Sequence, residues 1–149
     1  MQIYVDADAC PVKAEVVRVA TRHDLPVHMV SNSWMRIDQS PLVKLVVVAE
    51  GPDAADDWIA ERIGPADIAI TADILLAARC LKVGAQCIGP TGKVFSDANI
   101  GMAVAMRDMQ RHLREMGESR GFNPVFTQRD RSQFLQALEN AVQAGKRRG

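Results

Sequence analysis

The chain has 149 residues, 48% of them hydrophobic and 24% charged, and its 18 basic and 18 acidic side chains cancel to a formal net charge of zero. Those values describe one ordinary globular domain over residues 1–149 and exclude a disordered chain or a uniformly basic nucleic-acid coat. No stretch is apolar enough to span a membrane, residues 1–10 lack the basic start of a signal peptide, and Cys10, Cys80 and Cys87 form neither an even set nor a CxxC, so a reducing cytoplasm is expected.

Charge is unevenly spread. Residues 1–97 hold 13 acidic and 9 basic side chains, whereas residues 98–149 hold 5 and 9. An acidic half beside a basic one suits a protein that binds a cation and an anionic substrate.

Ile3 to Val5 reads as a short buried strand ending at Asp6-Ala7-Asp8, and Pro11 to His23 as a helix with Val12, Val16 and Val19 inward. Pro26 to Val30 is a second strand, followed by the polar loop Ser31-Asn32-Ser33. Residues 33–41 show no period. Leu45 to Val48 is a continuous apolar run, the pattern of a strand covered on both faces. Gly51-Pro52 breaks it, and Asp53 caps a helix running to about Arg62.

Ile68 to Ile70 is a further strand, and Thr71-Ala72-Asp73 leads into a helix from Ile74 to Val83 stopped by Gly84. Gln86 to Ile88 is a fifth strand. Gly89-Pro90-Thr91-Gly92 is turn chemistry, with Lys93 to Phe95 completing a small hairpin. Ser96 or Asp97 opens a long helix on which Met102, Met106, Met109, Leu113 and Met116 form one apolar stripe, expected to pack on the core. Gly117 to Pro124 is a predicted loop, Ser132 to Ala144 a last helix with Phe134, Leu135, Leu138 and Val142 inward, and residues 145–149 a disordered tail. The fold class is therefore α/β: a mainly parallel sheet of about five strands flanked by helices, with two C-terminal helices.

Parallel strands point the same way, so three acidic groups converge on one sheet edge: Asp6/Asp8, Asp53/Asp56/Asp57 and Asp73. Gathered carboxylates repel and require compensation by a cation, a shared proton or solvent. Hard oxygen ligands suit Mg²⁺ or Mn²⁺, and such a centre can activate water at phosphorus. Each acid also has a plainer reading as a helix cap or a dipole-favoured first-turn residue. Lys13, Asn32, Thr71, Arg107 and Arg111 are the expected contacts to substrate, although the arginines of the long helix have Asp108, Glu115 and Glu118 close by. The three histidines give no metal spacing, Gly92-Lys93 lacks the rest of a phosphate loop, and Trp34 and Trp58 are expected in the core.

The segments Val5-Asp6-Ala7-Asp8-Ala9-Cys10-Pro11-Val12-Lys13, Gly51 to Ile59 and Ile70-Thr71-Ala72-Asp73-Ile74 resemble the bacterial YaiI/YqxD family. Asn99-Ile100, Arg107-Asp108 and Asp130-Arg131 through Phe134 carry the resemblance toward the C-terminus. That family is grouped with PIN-like domains, the fold of many metal-dependent nucleases. The resemblance implies a single PIN-like domain and a Mg²⁺- or Mn²⁺-dependent phosphodiesterase acting on RNA or DNA, with RNA the expected partner. It puts Asp6 as the central ligand, Asp57 or Asp56 and Asp73 beside it, and Asp97 as the nearest candidate for a fourth acid; in such a centre Asp8 or Asp53 is expected to orient the catalytic water. Two alternatives stay open: a haloacid dehalogenase-type phosphatase with Asp6 as nucleophile, and a binding module without catalysis. The oligomeric state is left open.

Overall fold

Strand alternation sets the architecture. The computed structural model describes residues 1–49, 51, 53–117 and 125–148, apart from the side chains of Ala9 and Arg148. β1 (Ile3–Asp6) and a single 3₁₀ turn at Ala7–Ala9 lead to α1 (Lys13–His23), β2 (Val27–Ser31), β3 (Val43–Val47) and α2 (Ala54–Arg62). β4 (Ile68–Ile70), α3 (Ile74–Lys82), β5 (Gln86–Ile88), β6 (Val94–Phe95), α4 (Asp97–Glu115) and α5 (Gln128–Arg148) follow.

The six strands form one sheet in the order β3-β2-β1-β4-β5-β6, with β1 to β5 parallel and β6 antiparallel to β5. Successive side chains along a strand point to opposite faces. Ile3 and Val5, Val27 and Met29, and Ile68 and Ile70 accordingly meet α1 and α5, with Val16, Val19, Phe134, Leu138 and Val142, in one core. Tyr4, Val30, Ala69 and Cys87 face the other way, against Ala55 and Ile59 of α2 and Leu76, Ala77 and Cys80 of α3. The sheet is thus a layer between two helical layers, as alternating strands and helices require.

The chain winds outward from β1 to β3, then returns to build β4 and β5 on the other side of β1. β1 and β4 are therefore the pair across which the winding reverses. The crevice beyond the carboxyl ends of such a pair is the binding position of open α/β sheets. Gly92, at φ +91°, lets the β5–β6 turn touch α5: a Cβ there would lie 2.8 Å from the backbone carbon of Gln133.

Several expectations are corrected. β3 is an edge strand whose run is only partly covered: Leu45 packs on the first core and Val46 and Val48 on the second, while Val47 is exposed. α5 begins at Gln128 and continues through residues 145–148, where a disordered tail was expected. Its length follows from Ala141 and Val142, which are still buried in the first core. Trp34 is 76% exposed on the loop after β2, whereas Trp58 packs partly buried against the second core. The methionine stripe does not enter the core either. α4 buries Ala103, and Met102, Met106, Met109 and Met116 face outward. The predicted loop over 117–124 lies outside the described residues beyond Gly117. Among the described residues no helix is long and apolar enough to cross a membrane.

Candidate functional site

Asp6 ends β1, and Thr71 directly follows β4 beside it, so the pair sits at the winding reversal. The Thr71 hydroxyl, itself buried, donates to Asp6 Oδ2 at 3.0 Å and accepts the Asp73 N–H at 2.9 Å. Asp73 is the N-cap of α3: its Oδ1 accepts the N–H groups of Leu75 at 2.9 Å and Leu76 at 3.2 Å. Capping of this kind satisfies helix donors that would otherwise be orphaned. One threonine therefore holds the Asp6 carboxylate and the Asp73 backbone, and Asp73 also starts a helix.

Asp56, in the first turn of α2, faces this pair. Partial burial, then the charge of Asp73, a hydrogen bond with the Asp73 carboxyl, and the charges of Asp6 and Asp53 push its carboxyl up to about 7. Asp6 is also raised. Its desolvation outweighs the Thr71 hydrogen bond, and the charges of Asp73 and Asp8 add to the shift. A hydrogen bond between two carboxyls requires that one keep its proton. Among the described residues no salt bridge reaches Asp6, Asp56 or Asp73.

The neighbouring acids do other work. Asp57 lies one residue, about 100° around α2, from Asp56 and pairs with Arg79 of α3 at 2.7 Å. Asp8 accepts from the Ser31 hydroxyl at 2.6 Å and the Asn32 N–H at 2.9 Å. The Asn32 amide in turn donates to the carbonyls of Ala49 at 3.0 Å and Gly51 at 3.3 Å. Asp8 and Asn32 therefore tie together the loops after β1, β2 and β3. Lys13 donates to the Cys10 carbonyl at 2.9 Å and lines a separate hollow with Arg36 and Asp38. Asp97 is exposed in the first turn of α4 and lines neither cavity at the acidic edge.

Two cavities adjoin at Asp73. The smaller, about 240 Å³, is lined by Asp6, Cys10, Thr71 and Asp73, among others. Cys10 is buried there, and burial pushes its thiol up, so it is not an activated nucleophile. The larger, about 610 Å³, runs from Ala72 and Asp73 along α4 and is lined by Lys93, Asn99, Arg107 and Arg114. Of the arginines expected to meet substrate, Arg107 lines this groove, while Arg111 is exposed and lies 3.5 Å from Glu115. Lys93 was not expected to take part. Its signal lay in the glycine-rich turn before it, which aims the following residue at the sheet edge.

Among the described residues, no three His, Cys, Asp or Glu side chains are gathered as a metal-ligating group. The chemistry of Asp56 and Asp73 with Asp6 nevertheless fits a cation of the Mg²⁺ kind, which uses one or two carboxylates and keeps waters for its other positions. It also fits because, beyond burial, the charge of Asp73 raises both Asp6 and Asp56, a penalty that a dication removes.

Comparison with known proteins gives the lineage. The model described as uncharacterized BCR, YaiI/YqxD family, matches residues 4–144. A UPF0178 protein of Parvibaculum lavamentivorans is 62% identical over 147 residues, covering 99% of this chain and 97% of its own. UPF0178 proteins of Agrobacterium fabrum and Rhodospirillum rubrum are 60% identical over 138 residues and 57% over 148, covering 93% and 99% of this chain and 90% and 99% of theirs. No solved structure matches the fold. With nearly its whole length matched in both comparisons, the chain belongs to the YaiI/YqxD (UPF0178) family.

Proposed function

We propose that this protein is a divalent-cation-dependent phosphodiesterase acting on nucleic acid, with its centre at Asp6, Asp56 and Asp73. The observation that carries the reading is the Asp56–Asp73 carboxyl pair with Asp6 beside it, short of positive charge, at the winding reversal and opening into a groove lined by Lys93, Arg107 and Arg114. Asp56 takes the place that the sequence divided between Asp56 and Asp57, because Asp57 is engaged by Arg79.

Asp6, Asp56 and Asp73 would hold Mg²⁺ or Mn²⁺, which when bound supplies a nucleophilic water at neutral pH and charge neutralisation at phosphorus. Thr71 positions Asp6 and the Asp73 backbone. Lys93, Arg107 and Arg114 would bind the phosphates flanking the reacting one, a salt-sensitive and sequence-tolerant contact. Asp8 and Asn32 hold the loops around the centre and do not touch the reacting atoms.

The phosphatase alternative requires Asp8 to move protons at the leaving group. Its two oxygens are occupied by Ser31 and Asn32, which favours the phosphodiesterase. The test uses labelled single- and double-stranded RNA and DNA and a chromogenic phosphate monoester, with Mn²⁺ or chelator, against wild type and Asp73→Asn. Cleavage of polymer that needs metal and is lost in Asp73→Asn supports the reading. Hydrolysis of the monoester alone supports the phosphatase. Binding of polymer without turnover, indifferent to metal, supports the non-catalytic module.

A further inference from the structure

We infer that the loop after β2 carries a second nucleotide-binding subsite, where Trp34 stacks on a base of the substrate strand and Arg36 and Lys13 hold the phosphate beside it. The inference rests on the nucleic-acid reading of the acidic centre and extends the strand to the side of that centre opposite α4. Trp34 is 76% exposed, whereas the other tryptophan, the tyrosine and the phenylalanines among the described residues are buried or half-buried. An indole face left in water is a ready stacking platform, because every nucleobase has a flat face to lay on it.

The platform is tied to the edge that holds the acids. β2 runs parallel to β1, so the chain leaves the carboxyl end of β2 beside Asp6. The Ser31 hydroxyl that holds Asp8 also accepts the Ser33 N–H at 3.2 Å, and the Asn32 N–H donates to Asp8 at 2.9 Å. The backbone immediately before Trp34 is thus fastened to the turn after β1, which reduces the ordering that stacking would otherwise require. Asp8, whose oxygens are taken up by these contacts, thereby sets the indole relative to Asp6.

Cations complete the subsite. Trp34 and Arg36 line one hollow, of about 440 Å³, and Arg36 and Lys13 line the next, of about 200 Å³. Arg36 is exposed and, among the described residues, forms no salt bridge. Lys13 gives one of its three N–H donors to the carbonyl of Cys10, a residue that lines the acidic hollow. Asp38 is the acid lining both outer hollows, and its Oδ1 accepts the Ser40 N–H at 2.9 Å in a local turn. Two cations against this one acid leave the surface positive, which suits a phosphate and opposes an acidic protein. The strand order puts Lys93 and Arg107 on one side of the acids and Lys13 and Arg36 on the other. A centre flanked in this way accepts a linkage inside a strand.

Titration with single-stranded oligothymidylate and oligouridylate, in Ca²⁺ and in chelator, reads binding apart from turnover. Wild-type tryptophan fluorescence should be quenched, and that of Trp34→Ala, which retains Trp58 alone, should not. Trp34→Ala should weaken affinity by about fivefold or more, the loss of one stacked base. Arg36→Ala should lower the slope of log K against log salt by about 0.7. Both side chains are exposed, so the melting temperatures should match wild type. Binding that Arg107→Ala with Arg114→Ala weakens, while Trp34→Ala and Arg36→Ala leave it unchanged, overturns the subsite and keeps the catalytic reading. A wild type that binds neither oligonucleotide in either condition overturns both. Trp34→Ala that lowers the sedimenting mass but binds oligonucleotide normally gives the indole to a second copy of the chain, and it too overturns the subsite.

Discussion

Two groups of acids in this molecule meet opposite fates. Glu139, on α5, accepts from Gln143, from His23 at 2.8 Å and from Arg22 at 2.7 Å, and its carboxyl falls to about 2. Asp56, on α2, is surrounded by desolvating protein and by Asp73, Asp6 and Asp53, and its carboxyl rises to about 7. The first cluster clamps α1 to α5 and is complete within the chain. The second is complete only with a positive charge from outside, and the fold retains it at a cost in stability. A carboxylate that loses stability by staying where it is marks a site better than one that gains it.

The comparison is broken most directly by removing an acid from the incomplete cluster. Asp73→Asn keeps a side chain of similar capping strength, so the fold should survive. Metal-dependent cleavage should fall by more than the about 100-fold that loss of an outer-shell partner costs a metal site. Unaltered turnover in that variant would remove the assignment.

A smaller effect is expected in the groove. Replacing Arg107 and Arg114 together by alanine should weaken binding of single-stranded nucleic acid and lower the slope of log K against log salt by about 1.4, at roughly 0.7 for each phosphate no longer neutralised. The turnover of bound substrate should change less than its affinity. An unchanged slope would place the strand elsewhere.

Stability should respond to pH with opposite signs in the two clusters. Because the folded Asp56 holds its proton up to about 7 while the unfolded one releases it near 3.8, folding stability should fall as pH rises through that window. Asp56→Asn should flatten the fall and stabilise the metal-free protein at pH 8, by on the order of 1 kcal/mol once screening of a half-exposed group is allowed for. Mn²⁺ should raise the melting temperature of wild type at pH 8 and not that of the variant. A melting temperature constant from pH 4 to 8 in chelator would contradict the account.

The smallest effect belongs to the complete cluster. Glu139 is ionised in the folded chain down to about 2 against 4.5 in the free side chain, so its contribution is present above 4.5 and lost as pH falls toward 2. Glu139→Gln should cost about 1 kcal/mol at pH 7 and nothing near pH 2, with solvent around the half-exposed Arg22 screening part of the interaction. Chemical denaturation at the two pH values measures the difference.

Much of this was legible in the residues. The apolar runs and Gly-Pro breaks marked the strands and helices, with β6 reduced to the two residues Val94–Phe95. A parallel sheet then places the acids after β1, β3 and β4 at one edge, whatever the details of packing. Less legible was which face of a helix or strand would be covered. The stripe on α4 has the periodicity of a core helix, and nothing in its spacing says that the buried face is the one through Ala103. The run Leu45 to Val48 reads as a strand covered on both faces, and an apolar run does not say how completely each face is covered at the edge of the sheet.

Sequence alone therefore determined the alternation of elements, the convergence of Asp6, Asp56 or Asp57, and Asp73, and the family. Those follow from local patterning and from the common direction of parallel strands. Only the tertiary structure gave Asp56 and Asp57 different partners, by setting Arg79 of α3 against Asp57 and leaving Asp56 beside Asp73. It also gave Asp8 to the loops, through Ser31 and Asn32, and turned the methionines outward. Each of these depends on partners distant in the chain, whose approach is fixed by packing two helical layers on one sheet.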